Sequence, residues 1–320
     1  MEYDAVPIAE TAQQPINNST NASVSASNIV ISGSARNHFG NSFHISNSFH
    51  RSATSGFERI KILDWLSKLS FRSKHEDIRR ESGLLSPEGV LENGKFSGQW
   101  LLESTEFSQW RQRDLRKLWY IGMPGAGKTV LASVIIDHLT KVQAYLRPEG
   151  AHRIAFLYMS HKERCSTAQL IGSIIRQIIA KGRELPGAVC QLWECCSQGT
   201  QDATEGKLKN ALREVVNGSS GIFLIIDALD ECLPDDRLRL LGMLPELAEL
   251  SIIVTSRQLD DFRDVSRGFT KVSVQANDAD LDIFIDNQFD NHSRLLRLEE
   301  HDANIRRNVK HQIKHKCGGV

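Results

Sequence analysis

Short apolar runs alternate with helically spaced apolar residues along the C-terminal two thirds of the chain. The runs predict strands, and residues 222–226 include no polar position, which is typical of a strand buried on both faces. The predicted strands are residues 118–121, 154–159, 222–226, 251–254 and 272–274, and the predicted helices cover residues 130–139, 167–180, 206–221, 237–250, 281–285 and 305–313. This alternation predicts an α/β fold in three layers, with a mostly parallel sheet between two layers of helices.

Two segments of different character precede this pattern. Residues 57–117 carry three of the five tryptophans and apolar residues at helical spacing, so we expect a small helical region there. Residues 1–56 are expected to form a disordered tail, because Ser and Asn fill 18 of the first 55 positions and only five of those positions are charged.

Residues 29–50 depart from the rest of that tail. Apolar residues and Asn alternate there with Ser and His at a period of two, and the tetrapeptide Asn-Ser-Phe-His occurs twice. An Asn-rich pattern of this kind, with Arg36 as its one Lys, Arg, Asp or Glu, suits strands stacked in register as cross-β, with ladders of Asn side chains. Two interpretations remain open, an amyloid-like signalling segment and a disordered tail with a chance repeat.

The composition narrows the class of protein. Lys and Arg together number 39, as do Asp and Glu, so a net charge of zero disfavours a generally basic nucleic-acid binder. No apolar stretch is long enough to span a membrane, and the N-terminus has no secretory signal pattern. The six cysteines form no C-x-x-C pair, so we expect a reducing compartment, the cytoplasm. We expect a solvated face, and not a nucleic-acid site, from the basic residues of the last helix, Arg306, Arg307, Lys310, Lys314 and Lys316.

The residues from Gly122 to Thr129 fit the phosphate-binding pattern G-x-x-x-x-G-K-[ST]. They follow a predicted strand and open a predicted helix, a context that disfavours a chance match in a Gly-rich turn. Glycines let backbone N–H groups surround phosphates, Lys128 can reach the β- and γ-phosphates, and the Thr129 hydroxyl can ligate Mg²⁺. The predicted nucleotide-binding residues are Gly122, Pro124, Gly125, Ala126, Gly127, Lys128, Thr129 and Val130.

Acidic and basic residues follow two of the predicted strands. Asp227 ends the buried run 222–226, an arrangement typical of a Walker B acid that holds Mg²⁺. Asp230 and Glu231 come next and are candidates for polarising an attacking water. Arg257 follows the strand 251–254 and is a candidate sensor of the γ-phosphate, since ligands bind at the carboxyl ends of such strands. The alternatives are ordinary polar turns after strands and a surface arginine.

At these residues the chain resembles the NACHT type of STAND-class P-loop NTPases. The cluster Asp227-Ala228-Leu229-Asp230-Glu231 is similar to the NACHT form of Walker B, and residues 255–257 are similar to its sensor strand. The chain looks most like NACHT proteins of filamentous fungi that have a nephrocystin-3-like N-terminal region, through residues 98–110, 130–139 and 281–285.

The resemblance implies a nucleotide-controlled switch of the NOD-like receptor type. Such proteins are closed with ADP, assemble into oligomers with ATP and Mg²⁺, and signal to an effector through an N-terminal module, in fungi for non-self recognition or regulated cell death. Residues 118–320 are then expected to be a NACHT-type NTPase domain, truncated at its C-terminus where family members continue into a sensor array. Residues 81–96 are longer than the usual link and are expected to be an insertion or retained intron sequence.

Two other functions stay open at this point. A metabolic P-loop ATPase or kinase is one, although no Arg cluster typical of a lid is present and the Asp230-Glu231 pair favours hydrolysis. A fragment that acts only through its N-terminal segment is the other. The guanine signature N-K-x-D is absent, which favours ATP over GTP without deciding between them.

Overall fold

The computed structural model describes residues 35–36, 42–43, 56–82, 98–146, 153–182, 184–219, 221–258, 268–275 and 277–317. Contacts between Cα atoms divide the chain into two units, Met1–Ser52 and Ala53–Val320. In the first unit, β1 (Ala35–Arg36) pairs with β2 (Ser42–Phe43) in antiparallel fashion. The remainder of the predicted segment 29–50, and most of residues 81–96, lie outside the described residues.

A five-stranded sheet forms the centre of the second unit. Its strands run parallel in the order β4-β5-β6-β3-β7, which confirms the predicted α/β fold. Every residue of β5 and β6 is buried, as a strand covered on both faces requires. The strands are β3 (Lys117–Gly122), β4 (Arg153–Tyr158), β5 (Ile222–Asp227), β6 (Leu250–Ser256) and β7 (Thr270–Val274).

Helices surround this sheet and continue beyond its last strand. They are α1 (Gly56–Leu66), α2 (Phe71–Glu81), α3 (Gln99–Leu102), α4 (Thr105–Arg111), α5 (Lys128–Leu146), α6 (Thr167–Ile179), α7 (Gly187–Cys195), α8 (Glu205–Asn217), α9 (Pro234–Met243), α10 (Asp278–Asn291), α11 (Ser293–His301) and α12 (Ile305–Cys317). Local sequence determines where two of these helices begin: Ser166 and Gln169 form a capping box at the N-terminus of α6, and the Asn277 side chain caps the N-terminus of α10. No helix in the described part of the chain is long and apolar enough to cross a membrane.

Two helix predictions need correction. The helix predicted over residues 237–250 ends at Met243, because Pro245 has no N–H to continue α9, and β6 begins at Leu250. The charged residues of the segment 206–221 predict a solvated helix, but α8 ends at Asn217 and buries one face. That face is formed by apolar residues at helical spacing, Leu208, Ala211, Leu212, Val215 and Val216.

The basic residues of α12 also differ from the expectation of a solvated face. Three of them lie one turn apart and pair with three acids, also one turn apart, on α10. The contacts are Arg306 to Asp290 at 2.7 Å, Lys310 to Asp286 at 2.6 Å and Lys314 to Asp282 at 2.6 Å. The two helices are therefore joined by an antiparallel ladder of ion pairs, and these three positive charges are neutralised within the chain.

Helices α1, α2 and α4 pack directly on the sheet domain. The Trp110 side chain of α4 is fully buried, its ring lies 4.7 Å from that of Phe223, and its Nε1 donates a hydrogen bond to Ile252 O. Helix α2 was not predicted, because only Phe71 and Ile78 among its eleven residues are apolar. Its packing against α5 and β4 stabilises it.

The crossing of α1 and α6 depends on a glycine. A Cβ atom at Gly172 would lie well inside van der Waals distance of Leu66 O at the end of α1. We expect Gly172→Ala to lower the free energy of unfolding by about 1–3 kcal/mol, because the backbones must separate to admit one methyl group. Urea denaturation followed by circular dichroism measures this loss.

Gly206 in α8 provides the matched control, since a Cβ there meets no atom within 4 Å. Gly206→Ala is expected to leave stability unchanged or to raise it by up to about 1 kcal/mol, the helix propensity difference. Equal stability of the two variants would contradict the close approach of α1 and α6.

Candidate nucleotide-binding site

The loop between β3 and α5 has the backbone that the phosphate-binding pattern predicts. Gly125 and Gly127 adopt left-handed conformations, with φ of 82° and 81°, which residues with a Cβ rarely adopt. Gly122 has a steric requirement instead, since a Cβ there would lie 2.5 Å from Val274 O of the neighbouring strand. The predicted residues Pro124 and Ala126 lie in the turn between Gly122 and Gly127, in which Ala126 N donates a hydrogen bond to Met123 O.

The Lys128 ammonium lies within this loop. Its Nζ donates hydrogen bonds to Gly122 O at 2.8 Å and to Met123 O at 2.9 Å. Burial lowers the pKa of Lys128, and the nearby carboxylates of Asp230 and Asp227 oppose that shift by favouring the charged form. Among the described residues, the hydrogen-bond partners of this ammonium are carbonyl oxygens. A cation held in this way at a helix N-terminus can accept a polyanion.

Thr129 and Asp227 meet although 97 residues separate them in the sequence. The Thr129 hydroxyl donates to Asp227 Oδ2 at 2.8 Å, and the Thr255 hydroxyl donates to Asp227 Oδ1 at 2.6 Å. Asp227 is 2% exposed, and burial raises its pKa despite these two hydrogen bonds. Thr255 was not predicted as a site residue, although it belongs to residues 255–257, which are similar to the NACHT sensor strand.

These oxygens fit the way in which Mg²⁺ binds together with a nucleotide. Magnesium is commonly held by one or two protein oxygens, with phosphates and water completing the shell. No group of three or more His, Cys, Asp or Glu able to hold a metal occurs among the residues that the structure describes. Thr129 and Asp227 would therefore share the ion with phosphate oxygens, and would not form an all-protein cage.

Asp230, Glu231 and Arg257 lie at the ends of β5 and β6. Ala228 turns the chain with a left-handed φ of 53°, and Asp230 then accepts from Arg257 N at 3.1 Å and from Arg257 Nε at 2.5 Å. This contact raises the pKa of Arg257. Glu231 Oε2 accepts from the backbone N–H of His161 at 3.1 Å, beyond the end of β4. The Arg257 guanidinium is thus held by Asp230, whereas Glu231 is held by a backbone group.

Two cavities flank the loop. One, of about 260 Å³, lies between Gly125–Gly127, Trp100 and helix α10, and is lined mainly by apolar atoms. Asp280 of α10 shapes its wall, since its carboxylate accepts from Trp100 Nε1 at 2.9 Å and from Gly98 N at 3.0 Å. The other cavity, of about 750 Å³, lies between Thr129, the C-terminal end of α2 and α10. Val130 lines both of them.

Comparison with known families agrees with this geometry. The family model described as "Nephrocystin 3, N-terminal" matches residues 96–257, just over half of the chain. The vegetative incompatibility protein HET-E-1 of Podospora anserina is 27% identical over 232 residues, which cover 64% of this chain and 16% of HET-E-1. The chain therefore spans about one sixth of the length of that relative.

Solved structures resemble this chain less closely than the family model and HET-E-1 do in sequence. The ORC1 protein of Aeropyrum pernix, determined in complex with DNA, has a TM-score of 0.39 at 15% identity, covering 72% of this chain and 52% of that one. A Signal Transduction ATPase with Numerous Domains protein with a tetratricopeptide repeat sensor, from Pyrococcus horikoshii, has a TM-score of 0.33 at 16% identity, covering 62% and 27%. These scores are low, and the fold of this chain follows from its own strand order and register.

Proposed function

Because this chain belongs to the nephrocystin 3 N-terminal family, we propose that it is a nucleotide-controlled signalling switch that binds ATP and ADP with Mg²⁺. The observation that carries the proposal is the meeting of Thr129 and Asp227 beside a Gly-rich loop that contains the Lys128 ammonium. A hydroxyl, a carboxylate and a half-buried ammonium at a helix N-terminus are the groups that a Mg²⁺-bound phosphate chain requires.

The phosphates would bind in the loop and would replace the present hydrogen-bond partners of Lys128. Lys128 Nζ would exchange Gly122 O and Met123 O for β- and γ-phosphate oxygens, while backbone N–H groups at the start of α5 face the anion. Thr129 and Asp227 would hold Mg²⁺, which neutralises phosphate charge when it is bound. The apolar cavity beside Trp100 has the position and lining for the base of the nucleotide.

Hydrolysis would depend on the two acids after β5, in different roles. Asp230 accepts two hydrogen bonds from Arg257, so we assign it to holding this arginine, which would sense the γ-phosphate. Glu231 contacts only the backbone N–H of His161 among the hydrogen bonds found here, so we assign it to orienting the attacking water. Slow turnover would return the protein from an assembled ATP state to an ADP state.

The family and the relative together support a proposal for the biological role. HET-E-1 is named for vegetative incompatibility, and we propose a role of the same class for this chain, in non-self recognition or regulated cell death in the cytoplasm. Residues 1–56 would contact the downstream effector, with residues 29–50 as the signalling segment. Assembly would occur between copies of the chain and would be controlled by the nucleotide.

The test is to follow hydrolysis and particle size together. Wild-type chain is expected to be monomeric with ADP and larger with ATP by light scattering, and to return to the smaller size as ATP is consumed. Glu231→Gln is expected to slow single-turnover hydrolysis by about 100-fold and to remain assembled, because it still binds ATP but cannot polarise water.

Glu163→Gln is the matched control, because Glu163 lines the same crevice as Glu231. It should hydrolyse ATP and disassemble like wild type. Rapid multiple turnover without any change in particle size would instead favour a metabolic P-loop enzyme and contradict the switch.

A further inference from the structure

Helix α2 places a second ammonium group near the C-terminal end of β5, where Asp227 lies. Lys74 Nζ donates hydrogen bonds to Tyr158 O at 3.2 Å and to Met159 O at 3.3 Å, at the end of β4. Tyr158 lies opposite Asp227 in the parallel register of β4 and β5, and Met159 N donates to Asp227 O at 3.0 Å. Lys74 thus binds the two residues that flank Asp227 on the neighbouring strand.

The Lys74 ammonium therefore lies at the strand end next to that of Asp227. It comes from the N-terminal helical region and not from the phosphate-binding loop. The site described above assigns no role to this residue.

Further contacts attach α2 to β4, α5 and α10 around the site. His75 Nδ1 lies 2.8 Å from Tyr158 Oη, and its Nε2 lies 3.1 Å from Asp137 Oδ1 on α5. Arg79 pairs with the same Asp137 at 2.8 Å. At the other end of α2, the Gln288 side chain of α10 donates to Glu81 O at 3.2 Å. One helix from the N-terminal region therefore contacts β4, the loop helix α5 and α10.

We propose that Lys74 is a positioning residue through which α2 senses a divalent cation at Asp227. Without the cation, Lys74 keeps its hydrogen bonds to the end of β4 and α2 is held in place. When Mg²⁺ binds with the nucleotide, its charge repels the Lys74 ammonium at the adjacent strand end, so the ion weakens the hydrogen bonds of Lys74 to Tyr158 O and Met159 O. By thermodynamic reciprocity, Lys74 bound at the end of β4 weakens Mg²⁺ binding by the same factor. This inference rests on the proposed function, since it needs a nucleotide and Mg²⁺ at this site.

The alternative is that Lys74 only caps the end of β4 by hydrogen bonding. Lys74→Gln separates the two roles, because the amide still donates to carbonyl oxygens but carries no charge. Lys74→Arg keeps the charge. Arg72→Gln is the matched control, since it removes a cation from a side chain of the same helix that is 86% exposed.

The first measurement is the affinity for Mg²⁺ of the full chain saturated with ADP, by titration with a fluorescent ADP analogue. Lys74→Gln is expected to bind Mg²⁺ about five- to tenfold more tightly than wild type, because a charge that repels the ion is gone. Lys74→Arg and Arg72→Gln should lie within about twofold of wild type. Melting temperatures of all four proteins show that each variant is folded.

The second measurement is hydrogen–deuterium exchange of residues 71–81. Mg²⁺ is expected to increase exchange there in ADP-bound wild type, and to have no effect in Lys74→Gln, in which α2 no longer responds to the ion. Two results would overturn the inference: equal Mg²⁺ affinity of wild type and Lys74→Gln, or exchange in wild type that Mg²⁺ does not change. In either case, binding of ADP by the wild type would still support the proposed function. Failure of wild type to bind ADP at all would overturn both.

Discussion

Replacing Lys128 with alanine is expected to weaken nucleotide binding by at least about 100-fold, roughly 3 kcal/mol. The Lys128 ammonium is half-buried inside the loop, and burial lowers its pKa. A bound phosphate chain would favour the charged form again, so most of the attraction is realised only in the complex. Alanine leaves the loop glycines and the helix N-terminus in place but removes this charge.

Nucleotide content measures the effect directly. Purified wild-type chain, denatured and separated by chromatography, should release close to one equivalent of ADP or ATP, and Lys128→Ala should release almost none. Lys141→Ala, which removes an exposed lysine further along the same helix, should retain nucleotide like wild type. Comparable nucleotide in wild type and Lys128→Ala would contradict the site.

Nucleotide-free wild type, with a melting temperature that ATP does not raise, would show that the described domain alone does not bind nucleotide. The function would then have to be sought in residues 1–56 or in chain beyond these residues. The outcome therefore decides between the switch and the fragment that acts through its N-terminal segment.

Trp110→Ala is expected to cause the largest loss of stability, about 3–5 kcal/mol. The side chain is fully buried, with ring contacts to Phe223 at 4.7 Å and to Phe107 at 5.8 Å between centroids. Its removal leaves a cavity beneath the sheet and takes a donor from Ile252 O. Equilibrium denaturation in urea should show a lower midpoint.

Trp65→Ala is the matched comparison, because Trp65 is only partly buried. Its ring meets Trp193 edge-on at 5.3 Å, and its Nε1 donates to Gln201 O at an exposed position. We expect it to cost about 1–2 kcal/mol, within the ordinary range of substitutions. If Trp110→Ala proved no more costly than Trp65→Ala, α4 would not be an integral part of the core.

The strands could be predicted because their signals are local. The apolar run 222–226 became β5, and the other predicted strands differ from the observed bounds by only a residue or two at either end. The loop from Gly122 to Thr129 could be identified for the same reason, since every residue type that it needs is contiguous in the chain. Helix α2 was not found as an element of its own, because only Phe71 and Ile78 of its eleven residues are apolar.

Partners that are distant in sequence were beyond this kind of reasoning. The sequence placed Asp227 and Thr129 in one site only through two motifs that hold Mg²⁺ in P-loop proteins, and it suggested no partner for Asp280 or for the basic residues of α12. The structure shows that Asp280 binds Trp100 Nε1, 180 residues away, and that α12 pairs with α10. Charge alone does not distinguish a solvated lysine from a paired one, since only packing brings the acid near.

Apolar periodicity and a contiguous motif were thus enough for the α/β class, the five strands of the sheet, and the phosphate-binding loop. Tertiary structure alone decided that β6 lies between β3 and β5, which brings Thr255 against Asp227, and that α2 places Lys74 beside the same strand end. Local patterns encode which residues face a core, because burial of apolar surface acts residue by residue. Which element becomes the neighbour depends on packing the whole chain at once, and the polar contacts of the site follow from that choice.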